Sequence, residues 1–322
     1  MSRAAAILLL TALAIAFAIG LALPWHSLAA VAGQDRELAW LLLVELRLPR
    51  ALLALIYGAT LGASGAAIQA LFANPLASPD LTGTTSGAAL GAVVTAYLLA
   101  FATPLAMSVG AVAGALGALA LLLAFAGPRA ETATLLLAGL AISALAGALT
   151  TLALALAPSP FAFYDAYDWL MGSLVDRSLA QAAFAGVPAL LVFMLLLRLA
   201  RPLDSLALGE EVAQSLGHNV TSLRIQVVCL TALGVGGCVA ICGAIGFVGL
   251  VAPIFARALT RGHPGRAIVP AAVIGALLLT AADLVTRLAP LGRTLPIGVV
   301  TALLGAPFFL WLVAHMRWRL RP

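Results

Sequence analysis

The sequence contains no lysine; all 17 of its basic residues are arginine. A nucleotide-binding P-loop needs a lysine to reach the phosphates, so this chain holds none. A pyridoxal Schiff base is excluded on the same ground. Any ATP consumed in the protein's work is therefore hydrolysed by another chain. Charge is scarce as well. Asp, Glu, Lys and Arg make up 9% of the 322 residues, against about 25% in a soluble domain. The arginines are scattered singly and form no basic stripe, so the net charge of +5 does not point to nucleic acid. Cysteine is limited to Cys229, Cys238 and Cys242, an odd set that makes no disulfide framework. Cys238 and Cys242 are one helical turn apart in an apolar run and read as packing residues rather than a metal pair.

Apolar residues account for 63% of the chain. That is enough for about ten membrane helices of ~20 residues each. The predicted spans are 4–24, 47–71, 81–101, 106–126, 133–157, 180–198, 224–242, 244–259, 267–287 and 296–314. The eighth is short and glycine-rich, as a broken or tilted helix would be. The first apolar run is long enough to span, which favours a helix over a cleaved leader. Two polar stretches interrupt the pattern: 158–178, with Asp165, Asp168, Asp176 and Arg177, and 201–217, with Asp204, Glu210 and Glu211. No linker separates two domains, so residues 1–322 are expected to form one transmembrane domain.

With the N-terminus inside, eleven arginines fall on the inner side: Arg3, Arg129, Arg198, Arg201, Arg224, Arg257, Arg261, Arg266, Arg317, Arg319 and Arg321. Six fall outside: Arg36, Arg47, Arg50, Arg177, Arg287 and Arg293. The bias supports an N-in, C-in, all-α polytopic protein. Glycines at close-packing spacing (Gly58/Gly62, Gly83/Gly87/Gly91, Gly110/Gly114) let helix backbones approach in lipid.

Three segments stand out. Arg47-Leu48-Pro49-Arg50 opens the second span with two arginines on one face, and Arg287 closes the ninth span on the same side. They offer a cationic docking site for a carboxylate-bearing partner, or else they snorkel or pair locally, Arg287 with Asp283. Residues 73–79, Ala-Asn-Pro-Leu-Ala-Ser-Pro, form a proline-fixed inner loop, either a tight connector or a constriction. Residues 208–217, Leu-Gly-Glu-Glu-Val-Ala-Gln-Ser-Leu-Gly, predict a short amphipathic helix with a glycine C-cap, able to seat in a partner's groove. Gly62-Ala63-Ser64-Gly65 resembles an intramembrane protease serine. None of the four histidines lies mid-span to act as its base, so Ser64 reads as packing.

The ordered series RLPR at 47–50, GASGAAIQALFANPLASPDLTGTTSGAALGA at 62–92, LLLAG at 135–139, WLMGSL at 169–174, LALGEEVAQSLG at 206–217, GAIGFVGLVAP at 243–253, AD at 282–283 and LPIGVVTALLGAPFFLWLV at 295–313 resembles the FecCD/BtuC-like permease subunits of binding-protein-dependent ABC importers for iron-siderophores, haem and cobalamin. The resemblance covers roughly residues 40–314. It implies a type II ABC importer permease with ten spans, acting as a homodimer in a bacterial inner membrane, with the path between the two copies. It implies that Arg47, Arg50 and Arg287 receive acidic residues of an outer substrate-binding protein. Leu208, Gly209, Glu210, Ala213, Leu216 and Gly217 would dock a cytoplasmic ATP-binding subunit, and Asn74, Leu76 and Thr132 would sit at the inner gate. The chain itself would bind no cofactor, ATP being used by the partner. Ala73, Ile254 and the turn 262–266 depart from the family's usual residues, all near the inner face.

The expected cargo is an iron chelate, with cobalamin or haem as the alternatives. The competing class is an ion-coupled secondary transporter, which would place ionisable residues at mid-membrane. The predicted spans are almost free of carboxylates.

Overall fold

The computed structural model describes residues 2–97, 99, 103–127, 132–288 and 295–319. The chain opens with α1 (Arg3–Ala22), α2 (Trp25–Gln34) and α3 (Arg36–Leu41). A π-helical turn, Leu42–Arg47, leads without a break into α4 (Leu48–Leu71), which carries Pro49 near its start. A 3₁₀ turn, Pro79–Thr82, precedes α5 (Thr84–Tyr97). Then come α6 (Pro104–Ala126), α7 (Thr132–Ala155) and α8 (Pro160–Leu170), the last lying within one of the polar stretches. The chain continues through α9 (Leu179–Arg198), α10 (Ala200–Leu206), α11 (Glu210–Ser215) and α12 (Val220–Cys242). It ends with α13 (Val248–Leu259), α14 (Ile268–Leu288) and α15 (Ile297–Arg319).

Among the described residues, seven helices are long and apolar enough to cross a membrane. They lie at α1, α4, α6, α7, α9, α12 and α14. With α5, α13 and α15 they occupy the ten positions expected from the sequence. α4 and α12 are buried nearly all round, while α1, α6, α7 and α9 leave wide apolar faces uncovered, as lipid or a second copy would require.

Small residues set the closest approaches. A β-carbon on Gly58 would stand 2.4 Å from the Gly275 carbonyl, and one on Gly62 would stand 2.0 Å from that of Ala271. Gly87 and Gly91 of α5 face Gly114 and Gly110 of α6 in the same way. The glycine spacing in the sequence therefore serves backbone contact. Ser64 is fully buried with its hydroxyl unpartnered, and no histidine is bonded to it among the described residues.

Two expected spans are half-helices. The third, predicted over 81–101, is helical only over Thr84–Tyr97. Residues 98 and 100–102 lie outside the described residues. Its start is delayed because Pro79 and Gly83 (φ +79°) hold a turn. Ser143 is the twelfth residue of the 24-residue α7, and its hydroxyl donates to the Asp80 carbonyl at 3.1 Å, which puts that turn at mid-depth. The eighth span begins at Val248, after an irregular stretch with Gly243 and Phe247 at positive φ. The hydroxyl of Tyr57 donates to the Gly243 carbonyl at 3.0 Å and accepts from the Ile245 N–H at 3.3 Å. Tyr57 is nine residues, about 14 Å, along α4 from Leu48, so this break also lies within the membrane. The Tyr57 side chain thus satisfies part of this irregular backbone, which at such depth cannot face lipid.

Candidate functional site

The three arginines singled out by the sequence converge at one end of the bundle. The helix α1 leaves its last carbonyls without intrahelical partners. That of Ile19 is met by the Leu23 N–H. Arg47 Nη1 donates to the Leu21 and Ala22 carbonyls at 3.0 and 2.8 Å, and its Nη2 to Pro24 at 3.0 Å. Arg287 Nη1 donates to Gly20 and Leu23. The guanidiniums thus cap the negative end of the α1 dipole.

A single carboxylate ties the remaining donors together. Asp283 Oδ1 accepts from Arg50 Nε at 2.7 Å, and its Oδ2 from Arg287 Nε at 2.8 Å. Thr286 accepts from Arg50 Nη2 at 2.9 Å. The side chains of Asp283 and Arg287 are only 3% and 4% exposed, against 17% for Arg50. Three cations face one anion, so the cluster keeps a net positive charge. Arg287 is turned inward, its Nε on Asp283 and its Nη1 on the α1 carbonyls; the accessible part of the charge belongs to Arg47 and Arg50. The Asp283–Arg287 pair anticipated from their i,i+4 spacing is present. The Arg50–Asp283 bridge across 233 residues was not anticipated, because nothing local in the sequence signals it.

The opposite end of α4 carries the loop region. Leu203, Leu206 and Ala213 bury into the core beside Leu71 and Phe72. α10 is pinned by Asp204, which accepts from the Gly265 N–H at 2.8 Å. α11 starts after Gly209 (φ +110°) and ends at Gly217 (φ +86°). The Gly217 N–H reaches the Gln214 carbonyl and the His218 N–H reaches Ala213, at 2.9 and 3.0 Å. This is the glycine-ended C-cap expected from the sequence. Glu210 pairs with the buried Arg224 of α12, fixing α11 against the bundle. Leu208, Val212 and Leu216 project outward at 69%, 40% and 58% exposure.

Beside this end, Asn74 Oδ1 accepts from the Leu76 N–H at 2.9 Å, closing a tight turn. The turn is anchored to α13 through Gln69, whose carbonyl accepts from the Asn74 N–H. The Gln69 side chain donates to the Leu250 carbonyl at 3.1 Å and accepts from Arg257. Thr132 opens α7, and its side chain is outside the described residues, as are Arg129 and Arg293. A cavity of about 680 Å³ is lined by Tyr97, Asp168, Trp169, Ser173, Asp176 and Arg177, among others.

Residues 6–315 match the FecCD transport family. The chain is 40% identical over 302 residues to the vitamin B12 import system permease protein BtuC of Vibrio cholerae serotype O1, covering 90% of this chain and 85% of that one. It is 37% identical over 297 residues to the Fe(3+) dicitrate transport system permease protein FecD of Escherichia coli K12, covering 91% of each. Its fold matches that of a metal-chelate type ABC transporter solved in an inward-facing conformation. The TM-score is 0.83 at 33% identity, over 95% of this chain and 97% of the other.

Proposed function

The chain belongs to the FecCD transport family and is an ABC transporter permease; on that premise we propose that two copies form the path of a binding-protein-dependent importer in a bacterial inner membrane. The observation that carries the reading is the pair of unlike surfaces about 36 Å apart at the two ends of α4. One is the cationic cluster around Arg47 and Arg50. The other is the apolar face of Leu208, Val212 and Leu216, at an end where no lipid would cover it.

An outer substrate-binding protein presents carboxylates to Arg47 and Arg50, with Arg287 holding Asp283 and α1 in register behind them. A cytoplasmic ATPase receives Leu208 and Leu216 in a groove, while Gly209, Glu210, Ala213 and Gly217 set the angle of α11. Closure of the ATPase pair moves α11 and the bundle alternates its opening, with Asn74, Leu76 and Thr132 at the inner gate. This chain binds no nucleotide of its own.

The cargo is a bulky metal chelate. An iron chelate is the first reading, and cobalamin the second, favoured by the relative that imports vitamin B12. Haem stands third. In a strain lacking the gene, Arg47→Glu with Arg50→Glu is expected to abolish uptake of the cargo that rescues growth, while the complex still hydrolyses ATP. Normal uptake in that variant would sink the docking assignment. Growth rescue by defined ferric chelates, haem or vitamin B12 separates the three cargoes.

A further inference from the structure

Asp80 is an ionisable residue that neither end surface uses. Its carbonyl is held at the middle of α7 by Ser143. Pro79 before it packs on Gly249, itself beside the Leu61 carbonyl of α4; Leu61 is thirteen residues along α4, about 20 Å from its start. Asp80 therefore sits near the midplane, in a segment that re-enters the bundle. Its Oδ1 accepts from Thr85 Oγ1 at 2.7 Å. Among the described residues no donor reaches Oδ2, and Asp80 keeps accessible surface despite its depth. At the break between α12 and α13, a β-carbon on Gly246 would stand 3.9 Å from that oxygen.

Three physical constraints limit what Oδ2 can face. A carboxylate turned toward hydrocarbon is costly. Irregular backbone at this depth is tolerated where it is buried in protein or lines a wet space. The N-termini of two half-helices, α5 and α13, lie at the same level, and their partial positive charge favours a polar neighbour over hydrocarbon. A wet internal space is the environment that meets all three.

We infer that Asp80 faces the translocation path and is a contact there for hydrogen-bond donors or cationic groups of the cargo, making the mid-depth of the path unfavourable to anions. This rests on the importer reading above. The test reads the path directly and needs no knowledge of the cargo. In the assembled permease–ATPase complex, with Cys229, Cys238 and Cys242 replaced by alanine, Gly246→Cys places a reporter thiol beside Asp80. It is treated with trimethylammonium-bearing and with sulfonate-bearing methanethiosulfonate reagents, with and without ATP.

The reporter is expected to react, and the cationic-to-anionic rate ratio is expected to fall about tenfold on adding Asp80→Asn. Thr85→Val, which removes the Oδ1 hydrogen bond and leaves the charge, is expected to keep the ratio. A thiol unreactive in every nucleotide state would overturn the inference, as would a ratio that Asp80→Asn leaves unchanged. A ratio moved as far by Thr85→Val would also overturn it, since Asp80 would then act only by placing α5. Loss of co-purification with the ATPase, or of ATP-driven uptake, would instead count against the importer reading, and both are measured separately.

Discussion

Asp283 joins two of the three arginines at the outer end. Its two oxygens are shared between Arg50 and Arg287, and it is nearly inaccessible to solvent. Removing one partner of a buried ion pair leaves uncompensated charge, at a cost of about 3–5 kcal/mol. Asp283→Ala is therefore expected to lower the thermal unfolding temperature of the detergent-solubilised protein well below that of an exposed-site control such as Glu211→Ala. An unchanged unfolding temperature would show that water satisfies the two arginines. The sequence made the arginines and the i,i+4 pair legible, since both are matters of spacing. The caps on the α1 carbonyls and the Arg50 bridge were not legible, because each joins residues more than 20 positions apart and leaves no periodic trace. Asp80 was missed for another reason. A carboxylate between two prolines and a glycine reads as part of a surface loop, and only the tertiary fold shows that the loop re-enters the bundle.

At the scale of elements, the α5–α6 contact makes the sharpest prediction. A β-carbon on Gly91 would stand 2.0 Å from the Gly110 carbonyl, whereas one on Gly117 meets nothing within 4 Å. Gly91→Ala is expected to destabilise the protein by about 1–3 kcal/mol through overpacking. Gly117→Ala is expected to be neutral or to stabilise by up to ~1 kcal/mol, since alanine is the better helix former. Thermal unfolding of the two variants side by side checks the pair. At α11, Val212→Glu with Leu216→Glu removes exposed apolar surface without touching the buried Ala213. The double variant should keep its unfolding temperature and lose co-purification with the ATPase. The all-α membrane architecture and the capped α11 were readable from apolar run length and glycine placement. The half-helices were only partly so. The glycine-rich eighth span announced its break, but residues 81–101 gave a continuous small-residue pattern that hid a late start.

For the whole molecule, the two end surfaces predict division of labour. The purified chain in liposomes, without an ATPase, is expected to move no cargo down an ion gradient; movement there would restore the ion-coupled alternative, for which a mid-depth carboxylate such as Asp80 is a favourable feature. The scarcity of charge proved a guide to the architecture. The chain holds 12 acidic residues in all, and Asp80, Asp204, Glu210 and Asp283 each make a specific hydrogen bond or ion pair.

The capping of α1 also bears on the order in which the protein is made. Its first helix leaves the ribosome with bare C-terminal carbonyls. Arg47 can engage two of them once α4 has been synthesised. The Gly20 carbonyl must wait for Arg287, 267 residues later. The capping of α1 is thus completed only once α14 has arrived.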